Sequence, residues 1–346
     1  MSMNLYISNF NLKEKHKLIG AFCSIILFIE LTIIHLPTGG YEFLSKYSKN
    51  GTLFPILKEL KKPLDNEKKK IAIIGDSQTV SGLDKYFLDR YLDNQFEILD
   101  LGLMGGTPVD YLYLLKNIQN KDIDLLIMSI AEGNMNNAPN PVYINDILFN
   151  IYIESDSLSK VIKSDSSVKK ILREGTLGSF IPSYRIRNYL YNFATTYIQL
   201  VLQQKSLFPI DYPQYYDKYP ITDYEKLKKI DKLKHSQGKY NNWARMQWWA
   251  LEKLFKESGL SVKHTIFLYL PKLSGYEKIL SNNVKSNYDI KVGRMCKQYN
   301  IDYLSINDFE DFSNNNFFYD FLHFTKDGRN RISKAIANII LENNTE

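Results

Sequence analysis

Five short apolar runs punctuate the chain: IAIIG at 71–75, FEILDLG at 96–102, IDLLIMSIA at 123–131, VKHTIFLYLP at 262–271 and IDYLSIN at 301–307. Continuous apolar runs of this length suit strands buried on both faces, and such strands pair in parallel when helices link them. Helical patterns stand between them, with Leu83, Phe87 and Tyr91 after the first run and Leu112, Leu115 and Ile118 after the second. A last helix is expected from about Thr325 to Leu341, with Thr325 as its N-cap and Ile332, Ile336 and Ile339 as its inward stripe. The alternation predicts an α/β fold in which a central parallel sheet lies between two helical layers.

Between the third and fourth runs the alternation breaks off. Residues of roughly 134–260 read as an aromatic, mostly helical insertion, with SYRIRNYLYNFATTYIQLVLQQ and NNWARMQWWALEKLFKESG as its clearest helices. Arg185, Arg187 and several amides argue against the first of these as a membrane span, and it is expected to pack on the core, on lipid headgroups or on a partner. Trp243, Trp248 and Trp249 suit either stacking on sugar rings or core packing, and their helical spacing favours the core.

The N-terminal segment carries a different signal. LIGAFCSIILFIELTIIHL, Leu18 to Leu36, approaches the roughly 20 apolar residues that cross a bilayer core, so a transmembrane anchor is expected over 18–36. The run is too long for a cleavable signal peptide and leaves through HLPTGG rather than a small-residue cleavage site. Lys13, Lys15 and Lys17 tilt residues 1–17 toward the cytoplasm, although Lys46 and Lys49 follow on the other side. Glu30 within the span is read either as a contact to a membrane partner or as an acid reaching the interface. Residues 37–69 then form a membrane-proximal connector, and 70–346 the compact domain with its insertion.

A net charge of +6 suits an anionic surface or polymer, but the lysines are interspersed with acids and no Arg-rich cluster has phosphate-reading spacing, which argues against nucleic acid. Cys23 lies in the apolar run, leaving Cys296 without an obvious disulfide partner in its own domain. A dinucleotide site fails on its glycines: Asp100 stands at a ribose-binding distance, but Gly75 and Gly82 are not the Gly-x-Gly-x-x-Gly of a pyrophosphate turn.

The first strand ends at Gly75 and delivers Asp76 and Ser77 at the carboxyl edge of the sheet, where ligands of open parallel sheets bind. A serine hydroxyl needs a base to take its proton, and the base needs a third group to hold its tautomer. Of the five histidines, His16 and His35 flank the apolar run, His235 sits in a lysine-rich stretch and His264 opens a strand. His323, between the last strand and the last helix, is left at the same edge, with Asp320 three residues before it and on the same face of a helical turn. Asp76 is read as a turn-stabilising side chain. Donors for a developing oxyanion are available from Gly102, Gly105 and Gly106 after the second strand and from the Asn134 amide after the third. A metal on Asp320 and His323 is disfavoured because no further His or Cys lies at ligand spacing, and no cofactor is expected.

At these residues the chain resembles the SGNH, or GDSL-type, hydrolase superfamily. GDSQ matches its first block, DLGLMGGT looks like the second and DFLH matches the last, whereas Ala131, Glu132, Gly133 and Asn134 stand where the family usually shows Gly-x-Asn-Asp. The resemblance covers 71–137 and 262–342. It implies a flavodoxin-like three-layer sandwich, a Ser77–His323–Asp320 triad, and an oxyanion hole made by the N–H groups of Ser77 and Gly105 with the Asn134 side chain. Together with an anchor and an insertion, it looks like the extracytoplasmic branch that includes the DltD proteins and the alginate and peptidoglycan O-acetylation proteins. That branch implies an envelope glycopolymer as substrate and a multi-span membrane O-acyltransferase as partner. The reading from another class is a catalytically silent scaffold that binds such a polymer or acyltransferase.

Overall fold

A computed structural model describes residues 53–136, 243–276 and 282–343, together with 220–222, 225 and single positions between 16 and 32. Five strands, β1 (Lys69–Gly75), β2 (Phe96–Gly102), β3 (Leu125–Ser129), β4 (His264–Tyr269) and β5 (Asp302–Ser305), form one sheet of order β2-β1-β3-β4-β5. Every pairing is parallel, with Ile71 opposite Ile98 and Leu125, and Gly75 opposite Gly102 and Ser129. All five predicted strands are present, and the sheet reverses direction of winding at β1, whose neighbours β2 and β3 lie on either side.

Side chains of period two divide the core into two layers. Ala72, Ile74, Leu99, Leu101, Leu126, Met128 and Phe267 point to one face. Helices α1 (Leu53–Lys61), α4 (Pro108–Ile118), α5 (Trp243–Ser261) and α6 (Asn282–Gln298) contribute to that layer. Ile71, Ile73, Ile98, Ile127, Ile266 and Leu268 point the other way. There they meet residues of α3 (Lys85–Tyr91), which follows the short α2 (Ser77–Gly82), and of α7 (Lys326–Asn343). Ile332, Ile336 and Ile339 are all buried, as the stripe predicts, and Thr325 Oγ1 accepts from Gly328 N–H at 3.4 Å in the N-cap manner.

Two further helices pack on this core. Helix α1 falls within the connector 37–69, yet Ile56 is buried in the core and Lys62 pairs with Glu97 of β2. The last part of the insertion, α5, packs on α4, where Gln247 Oε1 accepts from Val109 N–H at 3.2 Å. Trp248 and Trp249 pack half-buried against this layer, so core packing accounts for part of their surface. A cavity of about 430 Å³ beside them is lined also by Lys291 and Arg294. Cys296 is buried and free of any disulfide; burial pushes its thiol up to about 12.

Most of the insertion, including Arg185 and Arg187, lies outside the described residues, as do Glu30 and much of the run 18–36. The described positions of that run are helical and exposed, among them Ile25, Leu27, Phe28 and Leu31. Among the described residues no helix is long and apolar enough to cross a membrane.

Candidate active site

The site grows out of the end of β1. Asp76 caps α2: one carboxylate oxygen accepts from Gln78 N–H at 2.9 Å, so the chain turns sharply and Ser77 becomes the first helical residue. First-turn N–H groups, that of Ser77 among them, have no intrahelical acceptor. Gly75 is required by close approach, since a Cβ there would stand 1.9 Å from Thr79 Oγ1 and 2.6 Å from Ser129 O.

His323 and Asp320 come from the segment FFYDFLHF before α7. Phe318, Phe321 and Phe324 are buried at intervals of three, and a bridge pairs Phe318 with Phe324. These three rings anchor the loop, and the same period turns Asp320 and His323 together toward Ser77. Helix α7 is fastened to the Ser77 side. Arg329 Nε donates to Ser81 O at 2.9 Å, and Asp84 N–H donates to Ser333 Oγ at 3.3 Å.

The result is a continuous hydrogen-bonded line. His323 Nε2 lies 2.9 Å from Ser77 Oγ, and His323 Nδ1 lies 2.7 Å from Asp320 Oδ2. Asp320 Oδ1 accepts from Leu322 N–H at 2.8 Å and His323 N–H at 2.9 Å, so one oxygen fixes the loop while the other holds the ring. Burial pushes the Asp320 carboxyl up, but the hydrogen bond and charge of His323 and the two N–H groups outweigh it and hold it below the usual carboxylate range. The Tyr319 ring stacks on the imidazole, with centroids 5.5 Å apart and an 11° tilt. Such an array can take a proton from the hydroxyl as an acyl carbonyl is attacked.

Besides Ser77, the expected oxyanion donors lie just past the strands flanking β1, Gly105 in the turn after β2 and Asn134 in the 3₁₀ helix Glu132–Asn136 after β3. Leu103 N–H donates to Gly75 O at 2.7 Å, tying the turn after β2 to the end of β1. Gly105 is exposed in that turn at φ +67°, the left-handed region a side chain disfavours. Thr107 and Asp110 then start α4 with a buried capping box. After β3, Asn134 Nδ2 donates to Asp76 Oδ2 at 2.6 Å, and Ala131 N–H donates to the same oxygen at 2.6 Å. Gly102, at the end of β2, accompanies this edge, while the Gly106 N–H is engaged by Leu103 O at 2.8 Å.

Asp76 thus serves as a hub with no exposed surface, as its turn-stabilising reading predicts. Burial pushes its carboxyl up from the usual range, against the three donors and the charge of His323. Both oxygens face donors, so Asp76→Asn sets an NH₂ group against at least one buried N–H whichever way it turns. Thermal and denaturant unfolding should show a loss of about 2–4 kcal/mol.

Several neighbours carry no signal in the sequence. Gln78 is buried, and its side-chain Nε2 donates to Pro271 O at 2.8 Å. Glu132 accepts from Lys272 Nζ through both oxygens, at 2.5 and 2.6 Å, and from Tyr269 Oη at 2.8 Å. A cavity of about 300 Å³ past the ends of β4 and β5 is lined by Tyr269, Lys272, Ser274, Tyr276 and Asn307. Leu273 N–H joins this loop to Phe321 O at 3.1 Å. Among the described residues no group of three His, Cys, Asp or Glu side chains is placed to hold a metal ion.

No family model matches the chain, and no curated protein matches it. Among solved structures it is similar to an acetylxylan esterase from Geobacillus stearothermophilus, at 12% identity over 80% of this chain and 96% of that one, with a TM-score of 0.38. It is also similar to a carbohydrate acetylesterase from Sinorhizobium meliloti, at 10% identity over 80% and 99% of the two chains and a TM-score of 0.35. A third is an α/β hydrolase from the metagenome of Lake Arreo, Spain, at 11% identity over 78% and 94%, with a TM-score of 0.37. Likenesses this distant, with TM-scores of 0.35 to 0.38, carry no weight for fold or chemistry, which rest on the sheet order and the site itself.

Proposed function

We propose that this chain is a serine-dependent acyl esterase or O-acyltransferase of SGNH type, held to a membrane by residues 18–36 and acting on an envelope glycopolymer outside it. The observation that carries the chemistry is the line from Ser77 Oγ through His323 to Asp320, at 2.9 and 2.7 Å. The anchor and the polymer rest on the apolar run and the family resemblance.

Ser77 Oγ attacks the acyl carbonyl carbon while His323 Nε2 takes its proton, and Asp320 steadies the imidazolium through Nδ1. The oxyanion is met by the N–H groups of Ser77 and Gly105 and by the Asn134 amide, one hydrogen of which Asp76 takes, setting the direction of the other. Collapse of the tetrahedral intermediate breaks the ester C–O bond, and His323 returns the proton to the departing alcohol. The acyl-enzyme then passes its acyl group to water or to a polymer hydroxyl activated by the same imidazole. Which acceptor reaches the acyl group decides between hydrolase and transferase; a membrane O-acyltransferase partner would supply the acyl group for the second.

A fluorophosphonate probe should label the full-length, detergent-extracted protein at Ser77, with peptide mass spectrometry locating the adduct. A folded protein that resists labelling favours the silent scaffold, to which the departure at Ala131–Asn134 lends support. A reporter fused at the C-terminus should read outside the membrane; a cytoplasmic signal removes the envelope polymer and leaves the ester chemistry standing.

A further inference from the structure

The pair formed by Glu132 and Lys272 sits outside the proton line and is almost fully enclosed, with side-chain exposures of 0% and 9%. Removing two charges from water is expensive, and an apolar pair of similar volume is commonly as stable or more so. Stability alone therefore gives no reason for an ion pair here. Its surroundings give one.

The contacts around the nucleophile close into a ring. From Ser77 the chain passes to Gln78, whose side chain donates to Pro271 O at 2.8 Å. The next residue, Lys272, binds Glu132 at 2.5 and 2.6 Å. Glu132 opens the 3₁₀ turn Glu132–Asn136, and Asn134 in that turn donates to Asp76 Oδ2 at 2.6 Å. Asp76 adjoins Ser77. The ring spans the ends of β1, β3 and β4, and Glu132–Lys272 is its only link between oppositely charged side chains.

Tyr269 Oη adds a third bond to Glu132, at 2.8 Å, and the Lys272 ammonium stands 3.7 Å from the centre of the Tyr269 ring. Three hydrogen bonds from two side chains, one on β4 and one in the loop beyond it, thus hold the first residue of the turn. On its opposite side the turn is held by Asp76, through Ala131 N–H and Asn134 Nδ2. Between those two anchorages the Asn134 amide has its position set relative to Ser77.

We infer that Glu132 and Lys272 are positioning residues: their ion pair closes the ring that holds Asn134 in register with the Ser77 nucleophile. The inference rests on the ester chemistry proposed above, with Asn134 as an oxyanion donor. An ion pair suits this task better than apolar packing because charge attraction holds the Lys272 ammonium centred between both Glu132 oxygens, whereas apolar side chains slide.

The test is the double variant Glu132→Leu with Lys272→Met in the full-length protein, which removes both charges and leaves neither partner alone. It should unfold within a few degrees of the parent. Turnover of p-nitrophenyl acetate should show kcat down about 100-fold, the scale of one lost oxyanion donor, with KM changed by less than threefold. Binding of phenylboronate, whose tetrahedral adduct with Ser77 requires the same donors, should weaken by a similar factor. A merely structural pair would move stability and leave the boronate-to-substrate ratio unchanged. A folded double variant with parental kcat overturns the inference. Should that variant not fold, Tyr269→Phe decides: a severalfold fall in kcat at constant KM is expected, and parental kcat overturns the role. If the parent protein itself neither labels at Ser77 nor turns over the ester, the ester reading falls and takes this inference with it; a labelled parent beside an undiminished variant sinks this inference alone.

Discussion

Replacing Ser77 with alanine should reduce turnover of p-nitrophenyl acetate by about 10⁵-fold or more while leaving the fold intact. The expected size follows from the way nucleophile and base act as a unit: without Oγ there is no acyl-enzyme, and the imidazole at 2.9 Å has no proton to receive. What survives is the contribution of the oxyanion donors and of substrate binding to direct attack by water. Ser77 is only partly buried, and its side chain is not among the groups that build α2, which begins from the Asp76 cap. Thermal unfolding of the alanine variant should accordingly match the parent within a degree or two. A variant that retains a tenth of the parental rate would remove Ser77 from the chemistry and place the turnover on another group.

The second large effect is expected for Asp320→Asn. The amide keeps one oxygen for the N–H groups of Leu322 and His323, so the loop persists. Its nitrogen then faces His323 Nδ1 as a donor, which forces the ring proton onto Nε2 and leaves that nitrogen unable to accept from Ser77. A fall in kcat of about 10⁴-fold follows, with little change in KM. The pH dependence has a definite sign. Asp320 is held below the usual carboxylate range by His323 and the two N–H groups. Its contribution to stability is therefore complete above the unfolded value of about 3.9 and is lost as pH falls from there through the lower folded value. Melting temperatures measured from pH 6 downward should drop more steeply below about pH 4 in the parent than in Asp320→Asn; parallel curves would contradict the pairing.

How much of this was legible beforehand differs from residue to residue. The pairing of Asp320 with His323 is local, three positions apart, and the spacing alone brings a carboxylate to a ring nitrogen. The buried Phe318, Phe321 and Phe324 explain why that spacing works in a loop that is not a regular helix. Asp76 was also readable, because an aspartate before a helix start is a cap wherever it occurs; its second and third donors, from Ala131 and Asn134, were not. Helix α1 lies inside a lysine-rich connector; Leu53, Ile56, Leu57 and Leu60 stand at helical spacing there, but spacing does not say that Ile56 and Leu60 pack on the sheet rather than on a membrane surface. The Glu132–Lys272 pair was out of reach, because two opposite charges 140 residues apart have no pattern until strand order makes them neighbours.

By itself, then, the sequence determined the elements and their polarity. Five apolar runs alternating with amphipathic segments admit a parallel sheet clad on two faces, and glycine and aspartate at the end of the first run set a serine at its edge. Local periodicity suffices for this because burial acts on each segment separately. Only the tertiary structure decided that β2 and β3 flank β1, that α7 docks beside α2 and α3, and that His323 meets a hydroxyl 246 residues away. Those contacts depend on which apolar faces cover one another and on which buried donors find acceptors, properties of the packed whole that no single stretch of chain encodes.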